Sequence, residues 1–240
     1  MILDDFALLA SDTTRTKAYL QAMIQEGKIP KICVVYSDHI KKMQEEARQY
    51  RETGENKLYF DADMPLLFSL QSANIPYLLV EEKDINSEQI KSVIQKLKQK
   101  YLIYSGYGGY ILKSHLFQMG KKFIHIHAGI LPQYRGSTTI YYSFLQEKIF
   151  GATAIFLNEG LDEGEILVQD TFEMPKETVD IDYIYEPFLR SKVLIKVLQQ
   201  YVENGCLVSE KQGSQAAETY FIIHPVLKHL ALLGLENMNR

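Results

Sequence analysis

The chain has 240 residues, a length that suits one large domain or a domain with an appendage. Hydrophobic residues make up 46% and charged residues 23%, which is the balance of an ordinary soluble globular protein. The net charge of −4 argues against a nucleic-acid partner, because nucleic-acid binding usually requires a basic face.

The composition also argues against membrane insertion and export. No apolar run reaches the ~18 residues that a membrane span needs. Acidic residues stand at Asp4 and Asp5, where a signal peptide needs a basic region. The two cysteines, Cys33 and Cys206, lie far apart, which favours reduced thiols over a disulfide. These features predict a cytoplasmic protein with no membrane partner.

The first forty residues have the pattern of a strand, a helix and a strand. Residues 6–10 and 32–36 are apolar runs, and residues 14–25 carry apolar side chains at helical spacing. This order predicts a parallel sheet with helices on its faces. The first strand-to-helix turn is either an anion site for the substrate or an ordinary helix cap. Its polar residues are Ser11, Thr13, Thr14 and Arg15.

The same alternation continues to about residue 205. The short loop between the last two strands predicts that they pair antiparallel. The last helix should be irregular near Pro187. The tail after this helix has no single helical or strand periodicity. Further strands are predicted at residues 75–80, 101–105, 123–127, 151–157 and 165–170, and further helices at residues 66–73, 86–100, 113–118, 137–146 and 181–202.

A glycine-rich loop follows the strand at residues 101–105. Gly106, Gly108 and Gly109 allow the backbone to approach a ligand closely or to take a positive φ. Tyr107 and Tyr110 are interleaved with these glycines. The loop is therefore either a binding loop or a plain flexible turn.

Two histidines stand at the end of the apolar strand over residues 123–127. Alternate residues of a strand share a face, so His125 and His127 should point the same way. Open α/β sheets bind their ligands at the carboxyl ends of their strands. The polar loop after the strand, broken by Pro132 and Gly136, belongs to the same edge. This stretch is therefore the leading candidate for the active site.

Residues 101–170 carry three motifs that resemble the 10-formyltetrahydrofolate-dependent formyltransferase family. The first is His-Ile-His-Ala-Gly-Ile-Leu-Pro-Gln-Tyr-Arg-Gly at residues 125–136, and the second is Gly-Ala-Thr at residues 151–153. The third is Leu-Asp-Glu-Gly-Glu-Ile-Leu-Val-Gln at residues 161–169. The resemblance implies an α/β, Rossmann-like domain whose mostly parallel, twisted sheet is flanked by helices. It implies a catalytic domain over residues 1–205 and a short appendage over residues 206–240, which packs on the domain or on a dimer partner.

The resemblance also assigns roles by position. The family's catalytic trio is Asn, His and Asp; here His127 and Asp162 match the last two, whereas His125 occupies the Asn position. Gly129 replaces a family serine. The residues implied in binding the folate are Tyr107, Gly108, Gly109, Tyr110, Leu131, Asn158, Glu159, Gly160 and Leu161, and Tyr134 and Arg135 join the first turn as expected substrate-binding residues.

The function implied is N-formyl transfer from 10-formyltetrahydrofolate, used as a co-substrate, to a primary amine of a small molecule. A nucleotide-linked amino sugar is the favoured acceptor. The alternatives are hydrolysis of 10-formyltetrahydrofolate and a degenerate homologue that binds folate without turnover. A metal site built from His125, His127 and Asp162 is a third alternative, although the expected enzyme uses no metal. A homodimer is left open.

Overall fold

The structure, a computed structural model, describes residues 1–52, 54, 57–175, 178–213 and 217–238. The chain divides into two compact units at a point within one strand, between His125 and Ile126. The first unit contains β1 (Ile2–Ala10), α1 (Thr14–Gln25), β2 (Ile29–Ser37), α2 (Ile40–Gln49), α3 (Leu66–Ser72), β3 (Tyr77–Glu81), α4 (Glu88–Lys96), β4 (Tyr101–Ser105), α5 (Ser114–Phe117) and most of β5 (Lys122–His127).

Every strand pair within this first unit is parallel. β1 pairs with β2 and with β4, β2 pairs with β3, and β4 pairs with β5. The second half of β1, from Phe6 to Ala10, and all of β4 are buried, which explains their uninterrupted apolar sequences. The alternation of buried strands and helices predicted from the sequence is therefore confirmed.

The start of α1 follows directly from the local sequence. The side chain of Thr13 caps the helix and accepts a hydrogen bond of 3.2 Å from the backbone N–H of Thr16. The helix ends at Gln25, and Gly27 then takes a left-handed φ of 62° that turns the chain towards β2. The predicted bounds of this helix, residues 14–25, are confirmed.

The second unit begins at Ile126 and contains the end of β5. Its β7 and β8 pair antiparallel, as the short loop between them predicts. The irregularity expected near Pro187 lies just before it, as a π-helical turn over Ile181–Tyr185 that leads into the next helix. The elements after β5 are β6 (Tyr134–Gly136), α6 (Thr139–Glu147), β7 (Phe150–Phe156), β8 (Ile166–Phe172), the π-helical turn, α7 (Glu186–Asn204), β9 (Glu218–Tyr220) and α8 (Pro225–Met238).

The main sheet has seven strands in the order β3-β2-β1-β4-β5-β7-β8. Most of its pairings are parallel, and helices alternate with the strands along the chain. The predicted α/β, Rossmann-like class is therefore confirmed.

The C-terminal segment is more ordered than its sequence indicates. β9 pairs in parallel with β6, from Tyr134 beside Glu218 to Gly136 beside Tyr220, and α8 packs on α6. Residues 214–216 and 239–240 of the predicted appendage lie outside the described residues. The sequence-based division at residue 205 stays a prediction.

Within the described ranges, no helix combines the length and the apolar character that crossing a bilayer requires. Cys33 is buried in β2, Cys206 is exposed, and both are free thiols.

Candidate active site

His127, the last residue of β5, is buried and has a defined tautomer. Its Nε2 lies 2.6 Å from the backbone carbonyl oxygen of Tyr134, and only 3% of the residue is exposed. A carbonyl can only accept, so Nε2 must carry the hydrogen. In the neutral ring, Nδ1 is therefore the nitrogen that is free to take a proton.

Asp162 faces that nitrogen. Its Oδ2 lies 3.5 Å from Nδ1 of His127 and accepts a hydrogen bond of 2.9 Å from the backbone N–H of Gly136. The carboxylate is thus positioned to stabilise an imidazolium, which would form when Nδ1 takes a proton. Asp162 has a left-handed φ of 54°, a conformation that non-glycine residues seldom adopt.

The surroundings keep His127 neutral. Burial lowers the pKa of His127 from its usual value of 6.5, and Asp162 opposes that change by favouring the charged ring. The positive charge of Arg190 lowers the pKa further, while the negative charge of Glu186 raises it. A neutral imidazole with a carboxylate beside its unprotonated nitrogen can act as a general base.

Gly129 lies against His127 where a side chain would not fit. A Cβ at this position would lie 2.9 Å from Nε2 of His127, 2.9 Å from Oγ1 of Thr139 and 3.0 Å from the carbonyl oxygen of Tyr134. The hydroxyl of Thr139 donates to the carbonyl of Ala128 and lies 3.3 Å from Nε2 of His127. The position next to Nε2 of His127 thus has a hydroxyl from α6 and no side chain from residue 129.

His125 is the last residue of the first unit and is half-buried. Its ring centroid lies 6.3 Å from that of Tyr104 on β4. It precedes His127 by two positions on β5, so strand geometry directs both side chains to the same face.

The loop after β5 holds two of the residues expected to bind substrate, Tyr134 and Arg135. The hydroxyl of Tyr134 lies 3.0 Å from Oε1 of Gln146 and 2.8 Å from Oε1 of Glu147 and shares its one hydrogen between them, and its ring stacks on Tyr220. Arg135 forms an ion pair of 3.1 Å with Glu163. Both side chains thus have protein partners, and their substrate-binding role stays a prediction.

In the first unit, the β1–α1 turn is closely tied to the end of β4. Ser11 is buried, and its hydroxyl donates to the carbonyl of Ser105 at 3.0 Å. The guanidinium of Arg15 donates to the hydroxyl of Ser105 and to the carbonyl of Gly106. Thr13 caps α1, and Thr14 is the first residue of the helix. The helix-cap alternative is therefore realised, and anion binding stays a prediction.

One loop expected to bind folate lies in each unit, at residues 106–110 and at residues 158–161. In the first, the hydroxyl of Tyr107 donates to the hydroxyl of Ser37 at 2.9 Å, and the hydroxyl of Tyr104 donates to the backbone carbonyl of Tyr110. Gly108 is exposed, and Gly109 has a left-handed φ of 83°. In the second, the side chain of Asn158 accepts from the N–H of Gly160 at 3.0 Å, and Glu159 and Leu161 are exposed. Leu131, in the loop after β5, is buried and precedes a cis bond to Pro132.

Two residues around His127 and Asp162 escaped sequence reasoning. Thr139 lies in the helix predicted over residues 137–146, and its local sequence does not indicate the contact with His127. Gln212 donates to the carbonyls of Asp162 and Gly164, and nothing in its local sequence indicates this contact.

The sequence profile of a family described as "Formyl transferase" matches residues 5–197. A methionyl-tRNA formyltransferase from Finegoldia magna is 33% identical over 100 residues, which cover 41% of this chain and 32% of that protein. The chain spans about a third to a half of the length of the curated relatives it matches.

Solved structures share the fold. A sugar N-formyltransferase from Shewanella sp. FDAARGOS_354 superposes with a TM-score of 0.58 at 17% identity, covering 96% of this chain and 87% of that one. An N-formyltransferase from Helicobacter canadensis, in complex with folinic acid and dTDP-3-aminofucose, gives a TM-score of 0.55 at 16% identity, covering 92% and 71%. At identities this low, the superpositions show only that the fold is shared.

Proposed function

Because the chain belongs to the formyl transferase family, we propose that it moves a formyl group from 10-formyltetrahydrofolate to a primary amine of a small molecule. One observation carries the proposal: Nδ1 of His127 lies 3.5 Å from the carboxylate of Asp162 while Nε2 is held by the backbone. These two residues stand at the motif positions of the family's catalytic His and Asp.

The chemistry is a transfer of one carbon between two nitrogens. The amine nitrogen attacks the formyl carbon, the bond from that carbon to N10 of the folate breaks, and the amine proton ends on N10. Nδ1 of His127 is the base that accepts the amine proton and later returns it, since Nε2 donates to Tyr134. Asp162 stabilises the transient imidazolium.

His125 has the remaining role in this mechanism. The formyl oxygen becomes negative when the amine attacks, and a donor at the Asn position of the family is expected to stabilise it. One such donor is typically worth ~3–4 kcal/mol in the transition state. A neutral imidazole has one N–H that can donate, so His125 can replace the amide in this role.

We infer that the acceptor is a nucleotide-linked amino sugar. The H. canadensis structure contains folinic acid with dTDP-3-aminofucose, which supports both the folate co-substrate and the acceptor class. The net charge of −4 disfavours a tRNA acceptor, even though curated relatives are methionyl-tRNA formyltransferases.

The direct test incubates the purified chain with 10-formyltetrahydrofolate and single acceptors. The panel contains dTDP-linked 3-amino and 4-amino sugars, glycinamide ribonucleotide and methionyl-tRNA, and mass spectrometry identifies any formylated product. The proposal predicts formylation of an amino sugar. Formylation of methionyl-tRNA alone would overturn the acceptor class, and formate release without any acceptor would show a hydrolase. One tightly bound equivalent of zinc would overturn the metal-free mechanism.

A further inference from the structure

The side-chain amide of Gln212 forms hydrogen bonds both to the loop that contains Asp162 and to Arg135 on β6. Its Nε2 donates to the carbonyl of Asp162 at 2.6 Å and to that of Gly164 at 2.9 Å, and its Oε1 accepts from Nη2 of Arg135 at 2.7 Å. A primary amide has two donor hydrogens, and both are used on the Asp162 loop.

The Asp162 loop needs such external support. A left-handed φ at a non-glycine residue persists where surrounding contacts hold it. Gln212 holds the backbone of Asp162, whereas the N–H of Gly136 holds its carboxylate. Arg135, the neighbour of Gly136 on β6, joins these two contacts because it also binds Gln212.

The chain after Gln212 also forms hydrogen bonds with β6 and with the two residues that follow it. β9 pairs with β6, and the carbonyl of Tyr220 accepts a hydrogen bond of 2.9 Å from the N–H of Ser137. The hydroxyl of Thr138 accepts one from the N–H of Ile223 at 2.9 Å. The tail is therefore bonded to the loop that holds both His127 and Asp162.

We propose that Gln212 is a positioning residue, which holds the carboxylate of Asp162 beside Nδ1 of His127 from a tail that lies outside the family match at residues 5–197. The inference rests on the proposed function for its effect on turnover. Its structural part, the alignment of one carboxylate with one imidazole, can be measured without turnover.

Two variants test the contribution of the Gln212 side-chain amide. Gln212→Ala removes all three hydrogen bonds, and Gln212→Glu keeps the shape and the acceptor for Arg135 but places a carboxylate oxygen against two carbonyls. We expect both to lower kcat by about 10-fold or more, since small misplacements of catalytic groups cost up to ~10²-fold. KM for 10-formyltetrahydrofolate should stay within about threefold. Gln199→Ala, which removes an amide bound to the exposed Glu203 on α7, should leave kcat unchanged.

The second readout is the titration of His127, followed by NMR in protein with isotope-labelled histidine. The chain has six histidines, and the signal of His127 is the one lost in His127→Gln. When Asp162 moves away, the imidazolium loses its partner, so the pKa of His127 should fall in both Gln212 variants and not in Gln199→Ala.

Unchanged kcat together with an unchanged His127 titration in both variants would overturn the positioning role. A loss of kcat explained by a matching loss of folded protein in circular dichroism, with an unchanged titration, would also overturn it. If the unmodified chain shows no formyl transfer, the proposed function fails, and the shift in the His127 titration still decides the role of Gln212.

Discussion

Gly129 offers the most quantitative prediction, since the neighbours of an added side chain are known. A Cβ at position 129 would lie 2.9 Å from two polar atoms and 3.0 Å from a third, whereas ordinary contact begins at 3.4 Å. The neighbours would have to move by 3.4 − 2.9, or about 0.5 Å. Two of these atoms, Nε2 of His127 and the Tyr134 carbonyl oxygen, are bonded to each other at 2.6 Å, so they would have to move together to keep that bond. Overpacking of this kind costs about 1–3 kcal/mol.

We therefore expect Gly129→Ser to lower the free energy of unfolding by about 1–3 kcal/mol and to lower kcat by displacing His127. The companion variant Thr139→Ala removes the hydroxyl that occupies one of the three close positions. The double variant therefore keeps only two of the three close contacts. The double variant should thus be about 1 kcal/mol more stable than the sum of the two single changes predicts.

Urea unfolding followed by far-ultraviolet circular dichroism measures these differences, because the chain has no tryptophan to report by fluorescence. Gly213→Ala is the control, since a Cβ there meets nothing within 4 Å and should change the free energy of unfolding by less than about 1 kcal/mol. If Gly129→Ser is as stable as the unmodified chain, or if the double variant is simply additive, the close packing around His127 is refuted.

Three further predictions concern the proposed catalytic residues. His125→Asn should retain or raise activity and His125→Ala should lose ~10²-fold or more in kcat; equal losses in the two would remove the oxyanion role. Asp162→Asn should abolish most turnover with little change in folate binding by calorimetry, and near-normal turnover would exclude Asp162 from the mechanism. Burial lowers the pKa of His127 below 6.5, so the unfolded chain binds more protons than the folded one just below that pH. The free energy of unfolding should therefore fall as the pH falls below about 6.5, by up to ~1.4 kcal/mol per pH unit, and this slope should be smaller in His127→Gln. His229→Gln, at an exposed position of α8, is the matched control, and identical slopes in all three proteins would contradict the assignment.

The sequence predicted the elements whose signals are local. β4 and α1 have the predicted bounds, because buried apolar runs and a threonine cap are readable from neighbouring residues. The resemblance to the family implied that His127 and Asp162 act together, and their side chains lie 3.5 Å apart. Their catalytic roles stay predictions.

Contacts between distant short segments could not be predicted. β6 and β9 have three residues each and pair across about eighty residues of chain, so neither shows a periodic pattern. The amide of Gln212 donates to backbone carbonyls. Every residue has a backbone carbonyl, so the sequence does not show which carbonyls will accept. The role of Gly129 depends on Thr139 and becomes visible only when both positions are seen in space.

The central claim is that the chain transfers the formyl carbon intact from folate to an amine by way of the His127–Asp162 pair. The most direct measurement follows ¹³C-labelled formyl-tetrahydrofolate by NMR in the presence of a dTDP-linked amino sugar. The label is predicted to appear in the amide of the sugar, and to stay on the folate in His127→Gln and Asp162→Asn. Release of the label as formate by the unmodified chain, or transfer at the normal rate by either variant, would contradict the claim.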